Sequence, residues 1–331
     1  MKHYDVNELE IQEVSQREQI RTRIIFEDLK KRAIEGKKLL EREKDFLYIG
    51  LKLSELDDGK PEDFKACENN IFKELYLTYF HNNLSGPFFK HKKGQGLVEV
   101  GFREKIKDMS SLMRISDKWL VELKNDKHSD QILQEIGIET RRDLKVLEEK
   151  YPSLKRKFKK HQDDYRLKKD KIILQSKFIY LLVKSVIENN DSQDFEIPFS
   201  NEIIEFTIYS LVHIVSRHYA EPIKDNPDKT YHYDYFYPTE LHLDLKNILT
   251  KIDSLNKIDV KQTDNIIFEF KNIKYQIWIQ KRFKQVKGQG NVEIFRIQTF
   301  YPIYSEIEIK KIESEYEKTK ADDELFLLSK S

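Results

Sequence analysis

Apolar positions change their period several times along this chain. In residues 7–45, Ile20, Ile24, Ile25, Leu29, Ala33, Leu39 and Leu40 recur at helical spacing among Glu, Lys and Arg. That predicts one long charged helix, suited to surface packing or to a dimerisation arm, and hence to a homo-oligomer. Over 46–104 the spacing shortens: Phe46–Leu53, Leu75–Phe80 and Val98–Phe102 predict strands, with Gly86-Pro87 as punctuation. From Lys105 helical spacing returns. Asp117–Lys124, Ser129–Glu135 and Thr140–Glu149 predict short helices, the last with Thr140 as its N-cap.

Pro152 then interrupts, and residues 150–171 carry ten Lys/Arg against three Asp. A basic connector is expected at 151–171, dividing a helix-rich regulatory or partner-binding module (1–150) from a second domain (172–304) and a charged tail (305–331). Within the second domain, Lys171–Glu188, Ser200–Tyr219 and Thr239–Leu255 predict helices, the middle one capped by Ser200. Strands are expected at Ile266–Phe270, Ile273–Ile279 and Asn291–Tyr301, the first two joined by a Lys271-Asn272 turn. The fold class is therefore α+β: a mixed, mostly helical N-terminal module, then about three helices and a small antiparallel sheet.

One segment repeats. Phe89 to Val100 (FKHKKGQGLVEV) matches Phe283 to Ile294 (FKQVKGQGNVEI) at eight of twelve positions, which fits either a duplicated hairpin or two similar hairpin loops.

Composition narrows the partners. Basic and acidic residues nearly cancel, 59 against 58, so a nucleic-acid role would have to come from local clustering. Cys67 is the only cysteine, which excludes an intrachain disulfide and a multi-thiolate zinc site and suits a reducing cytoplasm. The N-terminus has no signal-peptide pattern, and the longest apolar run, Phe178–Val183, falls far short of a membrane span. A cytoplasmic protein without a membrane partner is expected. No Asp/Glu/His set has metal-ligand spacing and no glycine-rich phosphate loop is present, so neither metal nor cofactor is expected.

Candidate chemistry gathers at the end of the second predicted helix, in His213-Ile-Val-Ser-Arg217-His218. His213 and Arg217 share a helix face; His218 lies about 100° further round than Arg217. Two imidazoles can take and give protons at a phosphodiester, and a guanidinium can hold its oxygens. The bland reading keeps His213 in the core and lets Arg217 and His218 complement the helix dipole. The basic loop Lys281, Arg282, Lys284 and Lys287, with two glycines, could track phosphates or be an ordinary solvated hairpin. The aromatic loop around His232, Tyr233 and Tyr235 could stack unpaired bases.

The His-Ile-x-x-Arg-His helix ending resembles the phage-type members of the barnase–EndoU–colicin–RelE ribonuclease group. An aromatic loop, a helix and strands ending in a Thr-containing strand follow it, and the resemblance covers about 172–304. It implies a metal-independent endoribonuclease using the 2′-hydroxyl of RNA, of the toxin or anti-phage effector type. His213, Arg217 and His218 match its helix motif. Thr299, with Arg296 or Tyr301 as further catalytic or phosphate-binding candidates, matches its last strand. Arg296 and Thr299 have opposite parity, so they face opposite sides unless a bulge intervenes. His232 is a further catalytic or phosphate-binding candidate, without a clear family counterpart. Two other readings stand beside this one: a non-enzymatic nucleic-acid-binding or scaffold subunit, and a HEPN-type ribonuclease with Arg156-x4-His161.

Overall fold

A computed structural model describes residues 3–5, 8–9, 15–35, 37, 39–40, 43, 46–47, 69, 71–81, 86–92, 96–124, 130–150, 159–219, 230–232, 235–286 and 290–330. The chain divides into two compact units, Met1–Leu112 and Met113–Ser331.

In the first unit, helix α1 (Gln16–Ile34) buries Ile25, Leu29 and Ala33 at four-residue spacing and leaves Ile20 and Ile24 exposed. The strand expected at Leu75–Phe80 is instead part of a helical segment, 71–81, whose last turn is a π-turn over Leu77–His81. Phe72, Tyr76 and Phe80 are four apart and lie ring against ring along it, so the aromatic run carries a helical period. Phe46 and Leu47 are helical too, while 48–53 fall outside the described residues. Strands β1 (Phe89–Lys92) and β2 (Gly96–Glu99) form a hairpin, and helix α2 (Phe102–Lys124) follows. The predicted short helices merge: Asp117–Lys124 ends α2, and the next two belong to one helix, α3 (Gln131–Lys150), Ser129 lying outside the described residues. Thr140 is no cap but sits mid-helix, its hydroxyl donating to the Ile136 carbonyl.

The second unit corrects the expected fold. Its framework is not three helices with a small sheet but a seven-stranded mixed sheet. Helix α4 (Lys159–Asn189) absorbs the second half of the expected basic connector, 151–158 lying outside the described residues. A hairpin then replaces the start of the predicted second helix: β3 (Glu196–Phe199) and β4 (Glu202–Glu205) pair antiparallel. Ser200 and Asn201, with φ of 52° and 62°, make the two-residue turn between them. Helix α5 (Ile208–His218) begins only at its true N-cap, Thr207. Helix α6 (Leu241–Asp253), strands β5 (Asn265–Phe270), β6 (Ile273–Val286) and β7 (Gly290–Ile303) follow in the expected order, though β6 is twice as long as expected. The charged tail is structured: helix α7 (Glu306–Glu315), β8 (Tyr316–Lys320) and β9 (Leu325–Lys330).

The strand order is β3-β4-β7-β6-β5-β9-β8, antiparallel except for β4 beside β7. One sheet face carries Ile266, Phe268, Tyr275, Ile277, Ile279, Ile297 and Phe300 into the main core, with apolar residues of α3 to α6 in the same cluster. On the opposite face, Ile312 of α7 joins Ile267, Ile303 and Leu328. The β5–β6 turn has Lys271 and Asn272 at φ 49° and 65°. Asn tolerates that conformation better than a residue without a local polar side chain. Asn272→Ala is therefore expected to lower stability by about 1 kcal/mol in denaturant unfolding.

The repeated segment lies in two hairpins with the same register. Phe89 opposite Glu99 and Lys92 opposite Gly96 correspond to Phe283 opposite Glu293 and Val286 opposite Gly290. Gly96 and Gly290 share a left-handed backbone, φ 74° and 76°, which favours glycine there.

Candidate active site

Helix α5 is set against the edge of β7. Thr207 caps it by accepting from the Ser210 backbone, and Ser210 Oγ donates 2.5 Å to the Ile297 carbonyl. Since β4 pairs with β7 only through Ile204 and Glu205, α5 takes over the edge that β4 leaves. Its residues Tyr209, His213 and Arg217, four apart, point along one side of the helix. Helix α3 offers Glu135, Glu139 and Asp143 at the same spacing.

The two rows interlock. Arg217 is buried; its Nε donates 2.7 Å to Glu139 Oε2, Nη2 donates to the same oxygen, and Nη1 donates 2.6 Å to Asp143. His213 Nδ1 lies 3.0 Å from Glu139 Oε1, and its ring stacks on Tyr209 at 5.5 Å between centroids. Burial would raise the Glu139 carboxyl, but the His213 hydrogen bond and the Arg217 and His213 charges outweigh it and bring it from 4.5 to about 2. Because this folded value is depressed, the stability it confers is complete above the ordinary carboxylate range and is lost as pH falls toward about 2. Thermal midpoints are expected to fall steeply below about pH 4.5, and Glu139→Gln to flatten that part of the profile.

His218 turns the other way, onto β7. Its Nδ1 lies 3.0 Å from the Thr230 carbonyl and its Nε2 3.0 Å from Thr299 Oγ1. A carbonyl only accepts, so Nδ1 carries the proton; in the neutral ring Nε2 is then a lone pair, taking a hydrogen bond from the Thr299 hydroxyl. Tyr301 stacks on the ring at 5.2 Å, and burial, then Glu308, raises its phenol. His232 lies behind, on the core side. Its Nε2 donates to the Phe300 carbonyl at 3.2 Å, and Tyr219, Phe236, Tyr275 and Phe300 surround its ring. Burial lowers its pKa to about 4, partly offset by that carbonyl, so it is neutral and enclosed.

A bulge resolves the parity of β7. Trp278 faces Thr299 while Ile279 faces Ile297, leaving Gln298 as the extra residue. Arg296, opposite Gln280, and Thr299, opposite Trp278, therefore share one sheet face. Arg296 is 9% exposed, donates to Gln280 at 3.1 Å and Gln298 at 2.9 Å, and lies 3.9 Å over the Tyr209 ring. Gln298 donates to the Tyr209 hydroxyl. Arg296 makes no ion pair among the described residues, and its buried Nε has no hydrogen-bond partner. Burial lowers its pKa, as does the nearby Arg282, while Glu135 pulls it back.

The structure thus brings His218, Thr299 and Tyr301 together, with Arg296 further along the same strand, and joins His213 and Arg217 to α3 instead. The basic loop is the far end of the β6–β7 ribbon. Lys281 pairs with Glu293 at 2.7 Å, whereas Arg282 is exposed and makes no ion pair among the described residues. Lys287 and Tyr233 lie outside the described residues, as do Arg156 and the side chains of Lys284 and His161. Tyr235 is exposed beside Phe270, with Lys271 Nζ 4.8 Å over its ring. That is the β5–β6 turn, the opposite end of β6 from the basic loop.

Sequence reasoning missed Glu135, Glu139 and Asp143, whose four-residue spacing matches that of 209, 213 and 217. It also missed Trp278, although Gln276, Trp278 and Gln280 alternate with buried Tyr275, Ile277 and Ile279. A tryptophan at an outward position among glutamines is the signal. Among the described residues no group of three or more His, Cys, Asp or Glu is placed to hold a metal ion, and no helix is long and apolar enough to cross a membrane. Comparison of the chain with known protein families, with curated proteins and with solved structures gives no match.

Proposed function

We propose that the second unit is a metal-independent endoribonuclease whose general base is His218. The observation that carries this is the imidazole with Nδ1 anchored on a carbonyl and Nε2 directed at the buried Thr299, across the strand from the half-exposed Trp278. The resemblance of 172–304 to the barnase–EndoU–colicin–RelE group supports the same reaction.

In this reading a ribose 2′-hydroxyl replaces Thr299 on Nε2 and gives its proton to His218. The 2′-oxygen bonds to phosphorus, the bond from phosphorus to the 5′-oxygen breaks, and that oxygen takes the Tyr301 proton. The products are a 2′,3′-cyclic phosphate and a 5′-hydroxyl, and the His218 proton returns to Tyr301 through solvent. The displaced Thr299 hydroxyl and Arg296 meet the phosphate oxygens, whose charge grows in the transition state. Arg217 and His213 hold α5 on α3 and do not touch RNA. Such an enzyme, working in the cytoplasm without a cofactor, fits a toxin or anti-phage effector, with the first unit restraining it or binding a partner.

A second reading, a nucleic-acid-binding or scaffold subunit without catalysis, is favoured by the same ion pairs. They give two of the three motif residues carboxylate partners within the protein. Incubating purified protein with RNA in EDTA separates the two. Fragments ending in cyclic phosphate support the nuclease; intact RNA, or cleavage only with divalent metal, contradicts it.

A further inference from the structure

Strand β6 carries Gln276, Trp278, Gln280 and Arg282 on the face opposite the main core, spaced at roughly 7 Å from one to the next. Trp278 is 49% exposed, directly opposite Thr299, and so borders the His218 hydroxyl contact. Arg296, opposite Gln280, is more than nine-tenths buried yet makes no ion pair among the described residues, Glu135 and Glu205 attracting it only from further away, and its Nε has no hydrogen-bond partner. Arg282 continues the row, likewise without an ion pair among the described residues. A guanidinium taken out of water without a close anion is unfavourable, and an incoming phosphate would relieve it. The other tryptophan, Trp119, is 7% exposed, with its indole N–H on Ser176 at 2.8 Å, so it plays no part at this surface.

We infer that this half-face is a subsite for single-stranded RNA: Trp278 stacks the base next to the cleaved phosphate, and Arg296 and Arg282 hold the phosphates that follow. The inference rests on the RNA reading above. A ring lying in a sheet face reaches only bases that are not stacked in a helix, so the subsite selects unpaired strands over duplex. Stacking accepts any base, so the preference is for strandedness and not for sequence.

The test uses a short 2′-O-methyl oligoribonucleotide, which cannot be cleaved, as single strand and as duplex. Single strand is expected to quench tryptophan emission, and duplex to bind weakly without quenching. Trp278→Phe should abolish the quench while keeping most of the affinity measured by anisotropy of a labelled strand. Trp278→Ala should weaken binding by about 5- to 150-fold. Arg282→Gln should reduce the slope of log affinity against log salt by about 0.7. Equal binding of single strand and duplex with unchanged emission, or wild-type affinity in Trp278→Ala, overturns the inference. Because the probe is inert, its outcome is separate from catalysis. A protein that binds as described but cuts no RNA loses only the nuclease reading. One that cuts RNA while Trp278→Ala binds normally loses only this subsite.

Discussion

Arg217→Ala is expected to destabilise the second unit strongly, not to leave a folded protein with a dead site. The guanidinium spends its fork on two acids: Nε and Nη2 on Glu139, Nη1 on Asp143. Both carboxylates are nearly buried, with side chains 10% and 12% exposed. Removing the cation leaves Glu139 and Asp143 without their guanidinium between α3 and α5, and breaking a buried pair in this way costs about 3–5 kcal/mol. For a unit of this size that lowers the thermal midpoint by roughly 6–20 °C. Arg217→Lys should recover little, because an ammonium cannot reproduce three directed N–H donors. Thermal unfolding checks this. A variant as stable as wild type but inactive on RNA would return Arg217 to the substrate.

His218→Ala is expected to do the reverse. Loss of a general base costs ~10²–10⁴-fold in turnover. The stability cost is modest, because the side chain is only partly buried and its hydrogen bonds to the Thr230 carbonyl and the Thr299 hydroxyl involve no charged partner. Thr299→Val keeps the shape and removes the hydroxyl. It should slow cleavage by about 2- to 12-fold if that group contributes one ordinary hydrogen bond in the transition state. RNA affinity should change little in His218→Ala, since the proposed phosphate contacts of Arg296 and Arg282 are kept.

Individual elements of the second unit were legible in the chain but its seven-stranded framework was not, and the parts that were missed have physical reasons. The α6 helix, the β5–β6 hairpin and the His-x3-Arg-His ending of α5 announce themselves through period, turn chemistry and helical spacing. The β3–β4 hairpin hid because Ile204 and Phe206 can be taken for part of a helix when Ser200 is taken as its cap, which leaves Ile197 and Phe199 before the cap with no strand to pair with. The sequence does not say that Ser200 and Asn201 adopt positive φ. From the sequence the tail reads only as charged, without elements of its own. Yet Leu325, Leu327 and Leu328 are buried against β5, while Glu and Lys occupy the outer positions of α7 and β8. The candidate site divided for a related reason. His213 and Arg217 suit a phosphate as well as they suit carboxylates. Only the long-range packing of α5 on α3, 74 residues or more apart in sequence, decides between them. The bulge at Gln298, which sets Arg296 and Thr299 on one face, depends on the pairing of β6 with β7 and leaves no local signature.

The most direct measurement is the rate at which wild type and His218→Ala cleave a single-stranded RNA in EDTA, with the thermal midpoint of each recorded alongside. The account predicts cyclic-phosphate ends from wild type and a rate lower by two to four orders of magnitude in the variant, with midpoints within a few degrees. Equal rates in the two proteins, or a variant that loses activity only because it has unfolded, would contradict the assignment of His218 as the base.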